Sequence, residues 1–118
     1  MIYPKIPQLI ERVKFKGYEG AELYLSRFVE ANLPVLFIGN KETEQVYIIC
    51  NINPDGNYNL NEFEFAIKNY SENEGVLEWL INNEYLKKSH NSYSSGYAVI
   101  YLCYATDKLK QYIKELSK

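Results

Sequence analysis

The sequence is short of the residues on which most catalytic and redox chemistry depends. It has one histidine, His90, and two cysteines, Cys50 and Cys103, among 118 residues. A single histidine cannot furnish a multi-histidine metal centre, and inside the Ser/Asn-rich stretch Ser89–Ser95 it reads as a solvated loop side chain rather than a general base. The cysteines lie in separate apolar runs without a C-x-x-C spacing, which reads as two buried reduced thiols. No Gly-rich phosphate loop and no G-x-S-x-G nucleophile motif occurs. No apolar run approaches the ~18 residues of a membrane span, and Met1–Lys5 has no signal-peptide core. Charge of one sign is also lacking: 13 Lys and Arg stand against 15 Asp and Glu, a net charge of −2. That balance argues against an electrostatically driven nucleic-acid binder while leaving room for a local basic patch. These absences point to a cytoplasmic protein that is not an enzyme and needs no cofactor.

What is present suits one soluble globular domain spanning residues 1–118, at 47% hydrophobic and 24% charged. A chain of this length supports one core. Tyrosine occurs 12 times. Together with abundant Asn, Lys, Ile and Glu, this fits either the codon usage of an AT-rich genome or a Tyr-rich interaction surface.

Hydrophobic periodicity divides the chain. Ile6, Leu9, Ile10 and Val13 have helical spacing, whereas Val13–Lys16 alternates, so an irregular or helical start leads into a strand near Glu11–Lys16. Residues 21–30 suit a helix face or an offset strand. Val35–Ile38 and Val46–Ile52 are rich in β-branched and aromatic residues and read as strands joined by the polar connection Gly39–Glu44. Asn53-Pro54-Asp55-Gly56 is a turn in which Pro54 presets φ. Glu62–Lys68 alternates as a half-exposed strand. Ser71-Glu72-Asn73-Glu74 has the form of a capping box, with Ser71 as N-cap, Glu74 reaching back to it and Gly75 permitting close helix–sheet approach. The helix carries Val76, Leu77, Leu80 and Ile81 and ends at Asn82-Asn83. Ser89–Ser95 reads as a loop and Gly96–Tyr104 as an apolar strand. Thr106 or Asp107 then caps a helix through Leu109, Tyr112, Ile113 and Leu116. The expected fold is α+β, with an antiparallel sheet of four to six strands, a capped helix after Ser71 and a C-terminal helix.

Three groups of residues invite a functional reading. Asn51, Asn53, Asp55 and Glu62, with Gly56 at the sixth position, have EF-hand loop spacing and constitute the calcium-binding alternative. Against it, Asn51 replaces the usual Asp, Pro54 stiffens the loop, and Val46–Cys50 reads as a strand where a helix is needed. A winged-helix reading takes Val76–Asn82 as the helix before a β-wing, with Lys87, Lys88, Lys108, Lys110 and Lys114 facing phosphates. It needs further helices upstream, where strands are expected. The third group is acidic: Glu42, Glu44, Glu62, Glu64, Glu72 and Glu74 could meet a basic groove on a partner, with Glu62, Glu64, Glu72 and Glu74 the foremost candidates. Glu62 and Glu64 would share one strand face.

The segment Ile67-Lys68-Asn69-Tyr70-Ser71-Glu72-Asn73-Glu74-Gly75-Val76-Leu77-Glu78 resembles a signature, IK(D/N)YSENEGxLExL, of small uncharacterised proteins from plasmids and integrative conjugative elements. Ser95-Gly96-Tyr97 and Cys103 fit the second part of that pattern, and the likeness covers roughly residues 22–104. It implies that Leu23–Glu30 is a strand, and that the last helix, Asp107–Lys118, lies outside the family pattern. It supplies no catalytic or binding residues. It implies an accessory protein of mobile DNA that binds a host or element-encoded protein, for instance as an inhibitor of host defence of the restriction or CRISPR type.

Overall fold

The computed structural model describes residues 8–18, 20–27, 33–52, 60–95 and 98–116. The fold is α+β. Strands β1 (Gln8–Arg12), β2 (Glu22–Arg27), β3 (Pro34–Asn40) and β4 (Gln45–Ile49) form an antiparallel sheet in the order β1-β2-β3-β4. Strands β5 (Asn51–Ile52), β6 (Glu64–Lys68), β7 (Leu86–Ser95) and β8 (Ala98–Ala105) form a second, in the order β5-β6-β8-β7. A 3-10 turn (Ser71–Asn73) precedes helix α1 (Val76–Asn82), and helix α2 (Asp107–Leu116) closes the chain. No helix among the described residues is long and apolar enough to cross a membrane.

The β-rich run Val46–Ile52 serves both sheets because the chain changes partner at one residue. The Cys50 N–H donates to Leu36 of β3 at 2.8 Å, and the Cys50 carbonyl accepts from Lys68 of β6 at 3.2 Å. Asn51 completes the junction. Its side-chain Nδ2 donates to the Pro34 carbonyl at 3.0 Å, and its Oδ1 accepts from the Leu36 N–H at 2.8 Å. The side-chain amide thus pairs with β3 where the backbone of β5 has turned to β6. Buried backbone groups must find partners, and here a carboxamide supplies two.

Strand alternation aims one face of each sheet at a common core. Leu23, Ile38 and Ile48 lie in cross-strand register and are buried, as are Phe65 opposite Cys103 and Leu86 opposite Ala105. Val76, Leu77 and Leu80 of α1 and Leu109 and Ile113 of α2 join the same cluster. Both cysteines are free thiols within it, and burial pushes Cys50 up to about 12, so the native thiol stays protonated and unreactive. On the other face of the first sheet, Tyr24 stacks on Phe37 at 5.2 Å beside buried Val35.

Several elements differ from the sequence expectation. The first strand lies earlier, at Gln8–Arg12, and the region 21–30 resolves as strand over its described part, Glu22–Arg27. β6 starts at Glu64, because Asn61 closes a turn before it: its Oδ1 accepts from the Phe63 N–H at 2.8 Å, and its N–H donates to Glu64 Oε1. Glu62 therefore lies in a turn and shares no strand face with Glu64. Phe65, Ala66 and Ile67 are buried in succession, so both faces of β6 are covered. Ser89–Ser95 is strand rather than loop, because pairing with β8 supplies the hydrogen bonds that its polar composition conceals. The turn Asn53–Gly56 lies outside the described residues.

Ser71 is not the cap of the helix after it. It has φ +57° and opens the 3-10 turn, whereas α1 begins after Gly75. Asn69 is the cap: its Oδ1 accepts from the Gly75 N–H at 3.1 Å and the Leu77 N–H at 3.0 Å. Gly75 is required by its φ of +93°, not by close approach, since an added Cβ would meet only the Phe15 ring near 3.9 Å. At the other end of α1, Glu84 (φ +63°) and Tyr85 donate to Ile81 and Leu80, a Schellman closure. Thr106 caps α2 by accepting from the Leu109 N–H at 3.3 Å. Its hydroxyl also donates to the Glu84 carbonyl at 2.6 Å, tying the start of α2 to the end of α1.

Candidate functional site

Among the described residues β4 pairs with no strand beyond β3, and this edge together with the turn beside it forms a distinctive surface. β3 occupies one side of β4, and the other faces the 3-10 turn, where Asn73, itself buried, donates its Nδ2 to the Ile49 carbonyl at 2.7 Å. Between them lies a cavity of about 420 Å³ lined by residues that include Val46, Tyr47, Ile49, Lys68 and Glu72. Gln45-Val46-Tyr47-Ile48-Ile49 carries no charge, and Val46 and Ile49 are 43% and 39% exposed. Ile49 ends a cross-strand row, Leu9–Tyr24–Phe37–Ile49, that runs across the whole sheet. Natural edge strands are commonly blunted by charge, proline or a bulge. β4 has an irregularity near Tyr47 but neither charge nor proline.

The rim of this edge is polar. Lys68 Nζ donates to Glu72 Oε1 at 2.7 Å and lies 5.2 Å from the centre of the Tyr70 ring. The Lys68 ammonium, with further hydrogen bonds from Ser71 and the local backbone, lowers the exposed Glu72 carboxyl to about 2. Lys16 reaches across from the β1–β2 connection to donate to the Glu72 carbonyl oxygen at 3.1 Å. Tyr18 of that connection stacks on Tyr47 with centroids 4.8 Å apart and planes 10° apart.

The four foremost acidic candidates do not gather into one patch. Glu72 and Glu74 lie exposed at the β4 rim. Glu62 and Glu64 sit at the opposite end of β6 from Lys68, four residues or about 13 Å along the strand. Glu72 is also charge-compensated by Lys68, and Glu64 is held by Asn61. Glu42 and Glu44 lie in the β3–β4 turn, where the Asn40 side chain accepts from the Glu42 and Thr43 N–H groups.

The calcium reading loses its first ligand, because the Asn51 carboxamide is buried and committed to β3. The segment before it is a strand, Glu62 is exposed in a turn, and Asn53 and Asp55 lie outside the described residues. Among the described residues no three His, Cys, Asp or Glu side chains are grouped to hold a metal. The helix-then-hairpin order of a wing is present as α1, β7 and β8, but strands precede it where helices were needed. Lys108 donates to the Asn83 carbonyl at 3.0 Å and covers the Tyr85 ring at 4.2 Å, and Lys110 lies over Phe63. Lys88 lies over Tyr101. These cations pack against the protein's own aromatic rings.

Alternation alone does not say which strand ends a sheet, so the exposed side chains of β4 carry no signal in the sequence. The tyrosines are not all surface residues either: Tyr24 and Tyr85 are buried, and Tyr85 stacks on Trp79 at 6.0 Å. No family model, curated protein or solved structure matches this chain.

Proposed function

We propose that this chain is a non-enzymatic binding protein that engages a partner protein along the open edge of β4 and the 69–75 turn beside it. The observation that carries the reading is the edge itself: five uncharged residues with two exposed aliphatic side chains, bordered by a polar rim. Such an edge offers a partner main-chain hydrogen bonds, while Val46 and Ile49 supply apolar contact and select side chains. An apolar centre with a polar border is the usual anatomy of a protein–protein contact.

The likeness of residues 67–78 to proteins of mobile elements supports a partner encoded by the host or the element. It supports inhibition of a host defence protein, restriction or CRISPR-type, as the consequence of occupancy. The test compares partner retention from host extract by the wild-type chain and by V46K/I49K, which places two charges on the edge. The variant should keep the wild-type circular dichroism spectrum and lose the partner. Equal retention by the variant refutes the assignment, as does recovery of duplex DNA alone with steep salt dependence.

A further inference from the structure

A second surface lies on the connection between β1 and β2 and adjoins the rim of the β4 edge, since Lys16 reaches the Glu72 carbonyl and Tyr18 stacks on Tyr47. Arg12, Lys14 and Lys16 are exposed, whereas Phe15 is buried and Val13 half-buried, so Arg12 and Lys14 project from the same side of the strand end; Lys16, at the turn, lies over the Phe15 ring at 5.4 Å while donating to the Glu72 carbonyl. Residues two apart on an extended chain are about 6.6 Å apart, a step comparable to that between successive phosphates of a stretched single strand. The row is held in place. The Val13 N–H donates to Ala21 at 2.9 Å, the Tyr18 N–H to Phe15 at 3.2 Å, and Lys16 and Gly17 have φ of +51° and +74°, as a tight hairpin turn demands. Phe15 anchors the hairpin to α1 through an edge contact with Trp79 at 6.5 Å.

Among the described residues neither Arg12 nor Lys14 has a carboxylate partner. Glu22, the register partner of Arg12, accepts the Tyr24 hydroxyl instead. The hairpin lines a cavity of about 670 Å³ that runs from Arg12 to Ala21, and Tyr18 within it forms one side of the Tyr18–Tyr47 stack. Alternating cations along a backbone, ending at an aromatic stack, are the ingredients of sequence-tolerant single-strand recognition: charge follows the phosphates and rings receive bases. We infer that the β1–β2 hairpin binds single-stranded nucleic acid through Arg12, Lys14 and Lys16, with Tyr18 as the stacking residue.

Fluorescence anisotropy of a labelled twelve-residue oligothymidylate with the full chain tests this. Neutralising three phosphates predicts an affinity that falls about 20-fold between 50 and 200 mM salt. R12E/K14E should reduce affinity at least tenfold, and Y18L should weaken binding with the salt slope unchanged. K87E/K114E, which reverses two exposed lysines elsewhere, should bind as wild type does. Absence of salt-dependent binding overturns the inference, as does wild-type affinity in R12E/K14E or an equal loss in K87E/K114E. Equal competition by oligoglutamate also overturns it, by assigning the surface to acidic polypeptides.

Discussion

Replacing Asn51 probes the joint between the two sheets. Its carboxamide makes two buried hydrogen bonds, to the Leu36 N–H at 2.8 Å and the Pro34 carbonyl at 3.0 Å, in a residue only 3% exposed. Asn51→Leu keeps a branched side chain of similar size, so the cavity contribution is small and the loss is mainly of partners. Each orphaned buried backbone group costs about 1–3 kcal/mol, which sets the expected loss for the two at about 2–6 kcal/mol. A domain of this size typically has about 5–15 kcal/mol of stability in all. Asn51→Asp separates the two bonds. A carboxylate still accepts from Leu36 but faces the Pro34 carbonyl without a proton, and burial raises its pKa. A carboxyl whose folded pKa is raised destabilises when charged. The deficit of the Asp variant should therefore be smallest below the ordinary value near 3.9 and grow as pH rises above it. Urea unfolding followed by Trp79 fluorescence and far-ultraviolet circular dichroism measures both effects, with an unchanged m-value showing that the midpoint shift reports stability. A loss below about 0.5 kcal/mol in Asn51→Leu would refute the assignment of Asn51 as the surrogate strand partner.

Three further outcomes follow from the geometry around α1. Asn69→Ala should cost about 1–2 kcal/mol by removing the cap from Gly75 and Leu77, whereas Ser71→Ala should lie within about 0.5 kcal/mol of wild type; chemical denaturation distinguishes them, and the reverse order would restore Ser71 as the cap. Glu84→Gly should stabilise by about 0.5–1 kcal/mol, since the residue holds φ +63° in the Schellman closure, and should raise the melting temperature in calorimetry. Glu72, held near 2 chiefly by Lys68, contributes stability that is present above its ordinary value near 4.5 and is lost as pH falls toward 2. Urea midpoints across that window should show a small loss at low salt that high salt and Glu72→Gln both abolish.

The α+β class was legible because β-branched runs, turn chemistry and the 3.6-residue period of the helices agree along the chain. Val35–Ile38 and Leu109–Ile113 show this directly: each pattern has one physical reading. Residues 86–95 do not, because an edge strand needs only one neighbour and tolerates the Ser/Asn composition of a loop. The division of Val46–Ile52 between two sheets was hidden for a related reason. Composition marks the strand, but the partner change at Cys50 depends on where Leu36 and Lys68 arrive. At the turn before α1, the Ser71/Glu74 spacing matched a capping box while Asn69, six residues before Gly75, makes the bonds; local spacing cannot register a cap that returns from beyond a 3-10 turn. The acidic candidates were separable only in three dimensions, since Glu64 and Glu72 lie at opposite ends of β6. The alternation of Val13–Lys16 suggests a strand, whereas the exposure of Arg12, Lys14 and Lys16 along it emerges only from the structure.

Amide hydrogen exchange of the chain, alone and bound to the partner protein it retains from host extract, tests the binding assignment most directly. Docking along β4 predicts slowed exchange in Gln45–Ile49 and in the 69–75 turn, and no such slowing when V46K/I49K is mixed with the same partner. Protection confined to α2 or to the β1–β2 hairpin, with β4 exchanging at its free rate, would contradict it.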